Sequence, residues 1–307
     1  STARKEDDRI EILSGLFEGK TTGTPICLLV WNKGARSKDY SAIKDLFRPG
    51  QADYTYHKKY GIRDYRGGGR ASGRETVGRV AAGALAKKIL AKKKIKVIAY
   101  TIQVGKVFAE KFSEKEIEKN PVRCPDKQAA EKMEKAILKA RAGGDSIGGV
   151  VEIVAKNVPV GLGEPAFGKL DAELSKALMS IGAVKGVEFG AGFAVADLKG
   201  SENNDEMYSS KGKIRFRGNN AGGILGGIST GQDIVARIAI KPTSSIALEQ
   251  KTVDTKGKNR KIRTFGRHDP CICPRIVPVA ESMVALVLAD AIMVQEARKA
   301  KRTKWVE

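Results

Sequence analysis

The chain has 307 residues and a formal charge of +21, from 56 lysines and arginines against 35 acidic residues. This excess favours anionic partners, but aromatic residues make up only 6% of the chain and are not interleaved with the lysine runs, which argues against nucleic-acid binding. No apolar run reaches the length of a membrane span, no signal peptide opens the chain, and four cysteines are too few for a disulfide scaffold, so a soluble cytoplasmic protein with reduced thiols is expected.

Taken in chain order, the apolar patterns predict strands at residues 26–31, 95–104, 150–158 and 234–240, and helices at 72–94, 126–142, 171–181 and 278–302. Because the strands fall in neighbouring groups and do not alternate strictly with helices, the pattern favours antiparallel sheets in an α+β fold. The polar stretches 111–125, 200–218 and 249–263 are expected to be mobile loops. No repeat or long linker divides the chain, so a single domain over residues 1–307 is the simpler interpretation.

The most informative segment of the sequence is YGIRDYRGGGRASGRET at residues 60–76. Its guanidinium forks suit carboxylate and phosphate oxygens, and its glycine triplet lets the backbone approach a ligand. Ser72 followed by Glu75 predicts a capping box for the next helix, whose positive end would point at the same place. The segment is interpreted as an anion-binding cradle. The alternative is a glycine-rich surface loop whose arginines are solvated or paired with acids.

Other motifs give weaker signals. GLGEPA at residues 161–166 has the form of a dinucleotide-binding fingerprint, but Pro165 and a helix start delayed to residue 171 argue against it. Cys271 and Cys273 lack further ligands at suitable spacing, so no metal site is predicted. With His57 and His268 as the only imidazoles, no Ser/His/Asp arrangement is recognisable.

Four blocks of the sequence resemble the signatures of the chorismate synthase family and follow the family's order. They are the 60–76 segment, AGGILGGISTG at 221–231, KPTSSI at 241–246, and GRHDPC at 266–271 with its continuation to residue 281. Together they are spread over most of the chain. The resemblance implies an α+β core of two antiparallel β-sheets sandwiched by helices, assembled as a homotetramer.

The resemblance also implies the activity of a carbon–oxygen lyase of the shikimate pathway, which leads to aromatic amino acids. The family eliminates phosphate from 5-enolpyruvylshikimate 3-phosphate, in an anti-1,4 sense, to give chorismate. It requires reduced FMN although no net oxidation occurs, because a reduced flavin can lend electron density to the departing phosphate and collect the ring hydrogen. Some members reduce FMN with NADPH and others rely on an outside reductase, and the sequence leaves both open.

Carried over position by position, the resemblance implies three sets of site residues. The cofactor-binding set is Arg70, Ala71, Ser72, Gly182, Ala183, Gly226, Lys241, Pro242, Thr243, Ser244, Ser245 and Arg267. The family often has Asn-Ala where this chain has Gly182-Ala183, so one side-chain contact with the flavin is expected to be absent. The substrate-binding set is Arg63, Arg66 and Arg74, whose charges suit a substrate with two carboxylates and a phosphate. The catalytic set is Asp269, which would take the proton from the flavin, with Ser72 and Gln51.

Two departures from the family pattern reduce the activity expected of this chain. Gln51 stands where the family typically has histidine, and a glutamine cannot titrate near neutral pH, although His57 lies nearby in sequence. The chain also opens at Ser1 in what resembles the middle of a family segment, so a truncated N-terminus is expected. A non-catalytic remnant and a basic nucleic-acid-binding protein remain alternative interpretations.

Overall fold

A computed structural model describes residues 8–34, 37–66, 69–266 and 268–298, which form an α+β fold. The strands are β1 (Ile10–Ile12), β2 (Leu16–Phe17), β3 (Lys20–Thr21), β4 (Leu28–Val30), β5 (Lys96–Val104), β6 (Val107–Phe108), β7 (Gly149–Lys156), β8 (Val184–Phe189), β9 (Met207–Ser210), β10 (Lys213–Phe216), β11 (Ile224–Leu225), β12 (Ile228–Ser229), β13 (Ile234–Ile240), β14 (Gln250–Val253) and β15 (Asn259–Ile262). The helices are α1 (Asp53–Tyr60), α2 (Thr76–Lys92), α3 (Lys127–Ala142), α4 (Leu170–Met179), α5 (Gly200–Asn203) and α6 (Cys273–Ala297).

The centre of the fold is an antiparallel sheet with the strand order β6-β5-β7-β13-β8. Alternate residues of β13, from Ile234 to Ile240, are buried because successive side chains of a strand point to opposite faces of its sheet. The other described strands pair as small antiparallel sheets, β1-β4, β2-β3, β9-β10, β11-β12 and β14-β15. The prediction of an α+β fold with antiparallel sheets is therefore confirmed.

The long helix α6 covers one face of the central sheet, where it contacts β5 and β7 and lies between α2 and α4. It approaches α2 closely at Gly83, where a Cβ atom would overlap Ser282 of α6. Glu281 of α6 joins three elements, because it pairs with Lys87 of α2 and its Oε1 accepts the Ala99 N–H of β5 at 2.9 Å. The apolar core lies between this sheet face and the helices.

The length and composition of α6 alone would allow it to cross a membrane, contrary to the expectation that no apolar run is long enough. Of its most apolar stretch, however, 56% is buried inside the fold. Because α6 packs against the sheet and two other helices, its apolar composition is that of a core helix.

Element boundaries differ from prediction mainly at prolines and helix starts. The last helix begins at Cys273 and not at residue 278, with Pro274 in its first turn and Pro278 inside it. Proline is favoured in the first turn of a helix, and two prolines lie one turn apart here. The prediction was wrong because it took the second of them as the start. The helix predicted from residue 72 becomes regular at Thr76, after 3-10 turns at Gly69–Ala71 and Gly73–Glu75.

The three polar stretches predicted as loops contain regular structure, so that prediction was wrong. The first holds a 3-10 turn at Glu114–Lys119, the second holds α5 and the β9-β10 hairpin, and the third holds the β14-β15 hairpin. Their hairpin strands are mostly exposed, so they carry few of the apolar positions from which strands are recognised in sequence.

Candidate active site

The segment that follows β13 is fixed against the turn that contains Gln51. Lys241 Nζ donates hydrogen bonds to the Gly50 carbonyl oxygen and to Ser244 Oγ, and Ser244 Oγ donates to the same Gly50 oxygen at 2.9 Å. Gln51 is half-buried, and its N–H donates to the Arg48 carbonyl oxygen at 3.2 Å. The structure thus brings part of the predicted flavin-binding segment next to the predicted catalytic position Gln51.

The same segment contacts the loop of Gly182 and Ala183, which precedes β8. The Lys241 N–H donates to the Ala183 carbonyl oxygen at 3.0 Å. Ala183 has a φ of 77°, in the left-handed region that residues other than glycine rarely adopt and that occurs most often at functional sites. A Cβ at Gly182 would meet nothing within 4 Å, so open space adjoins this loop.

Asp269 is hydrogen-bonded to the segment that follows β13, on the side away from Gln51. Thr243 Oγ1 donates to the Asp269 carbonyl oxygen at 2.8 Å, and Ser146 Oγ donates to the Thr243 carbonyl oxygen at 2.7 Å. The Asp269 carboxylate is 12% exposed, and its Oδ2 lies 2.7 Å from Nε of Arg275, in the first turn of α6. Arg275 therefore fixes the orientation of the carboxylate. Pro242, between these contacts, packs against Gly148.

A cavity of about 290 Å³ opens beside Asp269, with Ser245, Thr264 and His268 among the residues that line it. Asp269 Oδ1 is buried and has no hydrogen-bond partner among the described residues, and the same holds for Thr264 Oγ1. Because a buried polar atom without a partner costs free energy, a ligand or a water molecule that reached these two oxygens would complete their hydrogen bonding.

A second cavity, of about 410 Å³, lies at the edge of the central sheet where β5 and β13 end and β7 and β8 begin. Lys185 and Lys241 both line it, and a register shift between β8 and β13 makes Lys185 the extra residue of a β-bulge. Burial lowers the pKa of the Lys241 ammonium below its ordinary value, and the positive charge of Lys185 lowers it further. Two neighbouring ammonium groups make this edge of the sheet attractive to an anion.

Ser72 caps the 3-10 turn before α2, because its Oγ accepts the Arg74 N–H at 3.3 Å. The predicted capping box takes a different form, since the Glu75 carboxylate pairs with Arg79 one turn further on at 3.1 Å. Arg79 in turn donates to Ser180 Oγ at 2.6 Å, just before the Gly182 loop. The start of α2, with the 3-10 turn of Ala71 before it, is therefore tied to the neighbourhood of the site.

The predicted arginine cradle is dispersed. Arg63 is buried, and its guanidinium pairs with Asp53 at 2.9 Å and donates to the Lys44 and Leu46 carbonyl oxygens. Arg66 is exposed and pairs with Asp64, and Arg74 pairs with Asp8 at 2.6 Å. The side chain of Arg70, and Gly67, Gly68 and Arg267 as a whole, lie outside the described residues. In this structure Asp53 and two carbonyl oxygens already engage the Arg63 guanidinium, so the convergence of all these forks on one ligand stays a prediction.

Gly226 lies apart from the predicted site residues around Lys241. It occupies the turn between β11 and β12, and the next residue, Gly227, accepts the Leu170 N–H at 2.8 Å, at the start of α4. Gly182 instead follows the end of α4, and a ten-residue helix is about 15 Å long. Within one chain, the structure therefore does not bring Gly226 to Lys241.

Sequence reasoning missed Arg275, Lys185 and Thr264. Arg275 lies inside the block that carries Asp269, and Lys185 follows Ala183 by two positions, so proximity to predicted site residues was an available signal. Thr264 had no such signal, because a threonine hydroxyl becomes informative only when its surroundings leave it without a partner.

Comparison with known proteins identifies the family to which the chain is similar. Residues 1–293 match the family model for chorismate synthase. The chain is 57% identical over 298 residues to the chorismate synthase of Methanosarcina mazei, covering 95% of this chain and 82% of that protein. It is 58% identical over 312 residues to the enzyme of Methanocaldococcus jannaschii, with the same two coverages. For that of Chloroflexus aggregans the identity is 53% over 308 residues, covering 100% and 84%.

A solved crystal structure of chorismate synthase is also similar, with a TM-score of 0.74 and 33% identity over 93% of this chain and 78% of that one. The fold and these relatives together define a carbon–oxygen lyase. The chain belongs to the chorismate synthase family.

Proposed function

We propose that this chain catalyses the reduced-FMN-dependent anti-1,4-elimination of phosphate from 5-enolpyruvylshikimate 3-phosphate, giving chorismate. The observation that carries the proposal is the unpartnered, buried Oδ1 of Asp269, a residue that lines a cavity beside the segment Lys241–Ser245. The contiguous apolar core supports a one-domain enzyme. We further propose that it acts in the cytoplasm as a homotetramer, with FMN reduced either by NADPH or by an outside reductase.

The residues around the site fit a flavin nucleotide. The residues proposed to hold it are Ala71, Ser72, Gly182, Ala183 and the segment from Lys241 to Ser245. Two lysines at the sheet edge suit its phosphate, the open space at Gly182 leaves room for a ring, and the orphan oxygens of the smaller cavity suit its polar atoms. Reduced FMN, when bound, supplies an electron-rich ring that assists departure of the substrate phosphate.

Asp269 is proposed to act as the base that accepts the proton released in the reaction. Arg275 fixes Oδ2, so that Oδ1, which has no partner among the described residues, is left as the acceptor. Lys241 and Lys185 offset negative charge, and Arg66 and Arg74 at the edge of the cradle are retained as substrate ligands. Arg63 is not, because Asp53 and two carbonyl oxygens already engage its guanidinium.

Gln51 is proposed to orient a ligand by hydrogen bonding without transferring a proton. Its Oε1 accepts the Ala52 N–H at 3.2 Å, which fixes the side chain in the turn beside Lys241. His57 does not replace it in this arrangement, since its ring lies against Phe47, with 5.5 Å between the ring centroids.

The test is anaerobic chorismate formation by Asp269→Asn with reduced FMN. The asparagine keeps the size of the side chain but cannot take a proton, so we expect turnover to fall by at least about a hundredfold while FMN affinity changes little. Asp197→Asn, an exposed change of the same charge, is the matched control. Full activity in Asp269→Asn would remove Asp269 from catalysis, and absence of turnover in the unchanged chain would favour the non-catalytic remnant.

A further inference from the structure

Thr264 is a buried residue for which the fold provides no hydrogen-bond partner. It follows β15, and its side chain is 4% exposed. Its backbone is well held, because its N–H donates to the Ile246 carbonyl oxygen at 3.0 Å. Its hydroxyl has no partner among the described residues. A valine has nearly the same shape, so packing alone gives no reason for a hydroxyl at this position.

The hydroxyl is part of the wall that contains Asp269. Both residues line the cavity of about 290 Å³, and each contributes one buried oxygen without a partner. The carboxylate oxygen can only accept a hydrogen bond when ionised, whereas the hydroxyl can donate or accept. A ligand that satisfies both oxygens needs a donor beside a second polar atom, an arrangement that the polar edge of a flavin ring presents.

A second buried threonine serves as a reference. It shows what is expected of an unpartnered hydroxyl that the fold merely tolerates and that binds no ligand. Thr101 of β5 is fully buried, and its Oγ1 also has no partner among the described residues. It does not line either cavity described above, and it lies in a strand that α6 covers. Thr101 is therefore a matched reference for Thr264, with the same chemistry but a position outside the two cavities described above.

We propose that Thr264 is a ligand-binding residue, whose hydroxyl and the Asp269 carboxylate together hydrogen-bond the polar edge of the flavin ring. The inference rests on the proposed function and adds to it a residue for cofactor recognition. It predicts opposite effects of removing the hydroxyl. The free protein loses an unsatisfied group and keeps its stability, whereas the complex loses a hydrogen bond.

The experiment compares Thr264→Val, Thr264→Ser and Thr101→Val with the unchanged chain by thermal unfolding and by calorimetric titration with FMN and riboflavin. Riboflavin isolates the ring from the phosphate. For Thr264→Val we expect an unchanged or raised unfolding temperature and about tenfold weaker binding of both flavins. Thr264→Ser should bind both flavins as the unchanged chain does. Thr101→Val should likewise show an unchanged or raised unfolding temperature, but its flavin affinity should not change.

Several results would overturn the inference. Equal flavin affinity in Thr264→Val and the unchanged chain would remove the hydroxyl from the site, and a fall in stability without a fall in affinity would assign it to the fold. If flavin affinity is unaltered in Thr264→Val, a parallel titration of this variant and the unchanged chain with shikimate 3-phosphate tests the substrate. Weaker binding of that ligand by the variant would place the substrate in this cavity in place of the flavin ring. An unchanged chain that binds neither flavin would instead contradict the proposed function itself.

Discussion

At the scale of single residues, Asp53 is the centre of a buried group of charged side chains. Asp53, at the start of α1, is 4% exposed and accepts three hydrogen bonds from Arg48, from its N–H, its Nε and its second guanidinium nitrogen, at 2.8–3.0 Å. Arg63 approaches the same carboxylate from the other side. Burial alone would raise the pKa of Asp53, but hydrogen bonds from Arg48 and the charges of both arginines outweigh it and hold the pKa below its ordinary value.

Replacing Asp53 with asparagine should destabilise the protein by about 3–5 kcal/mol, because two buried guanidinium groups lose their counter-charge. The folded pKa of Asp53 lies below the unfolded value of 3.8, so its contribution is present above that pH and is lost as pH falls through the folded pKa. Urea unfolding at pH 7 and between pH 5 and pH 2.5 measures both effects. Asp64→Asn, in an exposed pair with Arg66, should change stability by under about 1 kcal/mol. Equal losses in the two variants would contradict this account.

How far the site could be predicted differs from residue to residue. Asp269 and the segment that begins at Lys241 were both named as site residues from specific sequence blocks, and the structure brings the two together through Thr243. Arg63 was assigned to a ligand because an arginine beside glycines suits anions, but the sequence does not show that Asp53 takes its guanidinium. Thr264 could not be found at all, since an orphan hydroxyl is defined by three-dimensional surroundings.

At the scale of elements, the contact between α2 and α6 sets the spacing of the helical layer. Gly83 lies where a Cβ would overlap the Cβ and Cα of Ser282, whereas a Cβ at Gly78 on the same helix would meet nothing within 4 Å. Small residues in α2 permit close packing, but which glycine is essential depends on the facing helix. The predicted start of α6 was wrong, because the presence of a proline does not show which turn of the helix that proline occupies.

The two glycines should respond to alanine with opposite signs. Gly83→Ala gains up to about 1 kcal/mol of helix propensity but overpacks the helix contact, which costs about 1–3 kcal/mol, so a net loss is expected. Gly78→Ala gains the propensity without the overlap and should stabilise the fold by about 0.5–1 kcal/mol. Reversible denaturant unfolding of both variants measures the difference. Stabilisation by Gly83→Ala would show that the helices separate at little cost.

At the scale of the whole molecule, the formal charge of +21 raises the question of nucleic-acid binding. Part of the basic surface is already neutralised by pairs between separate elements, such as Lys93 with Glu296 and Lys96 with Glu114. The two lysines of the sheet edge, in contrast, lie beside a cavity of about 410 Å³ that suits a small anion. The structure thus separates a diffuse surface charge from a local anion site.

These two kinds of charge should differ in their response to salt. Binding of a polynucleotide through about four phosphate contacts should weaken by about a hundredfold between 50 mM and 200 mM salt, because it depends on released counterions. FMN affinity should fall much less over the same range, because its ring contacts are not ionic. Fluorescence titrations of the full chain with a labelled oligonucleotide and with FMN, at both salt concentrations, measure the two dependences. Oligonucleotide binding that is tight at 50 mM salt and falls steeply with salt, together with no FMN binding, would support the nucleic-acid alternative over the enzyme.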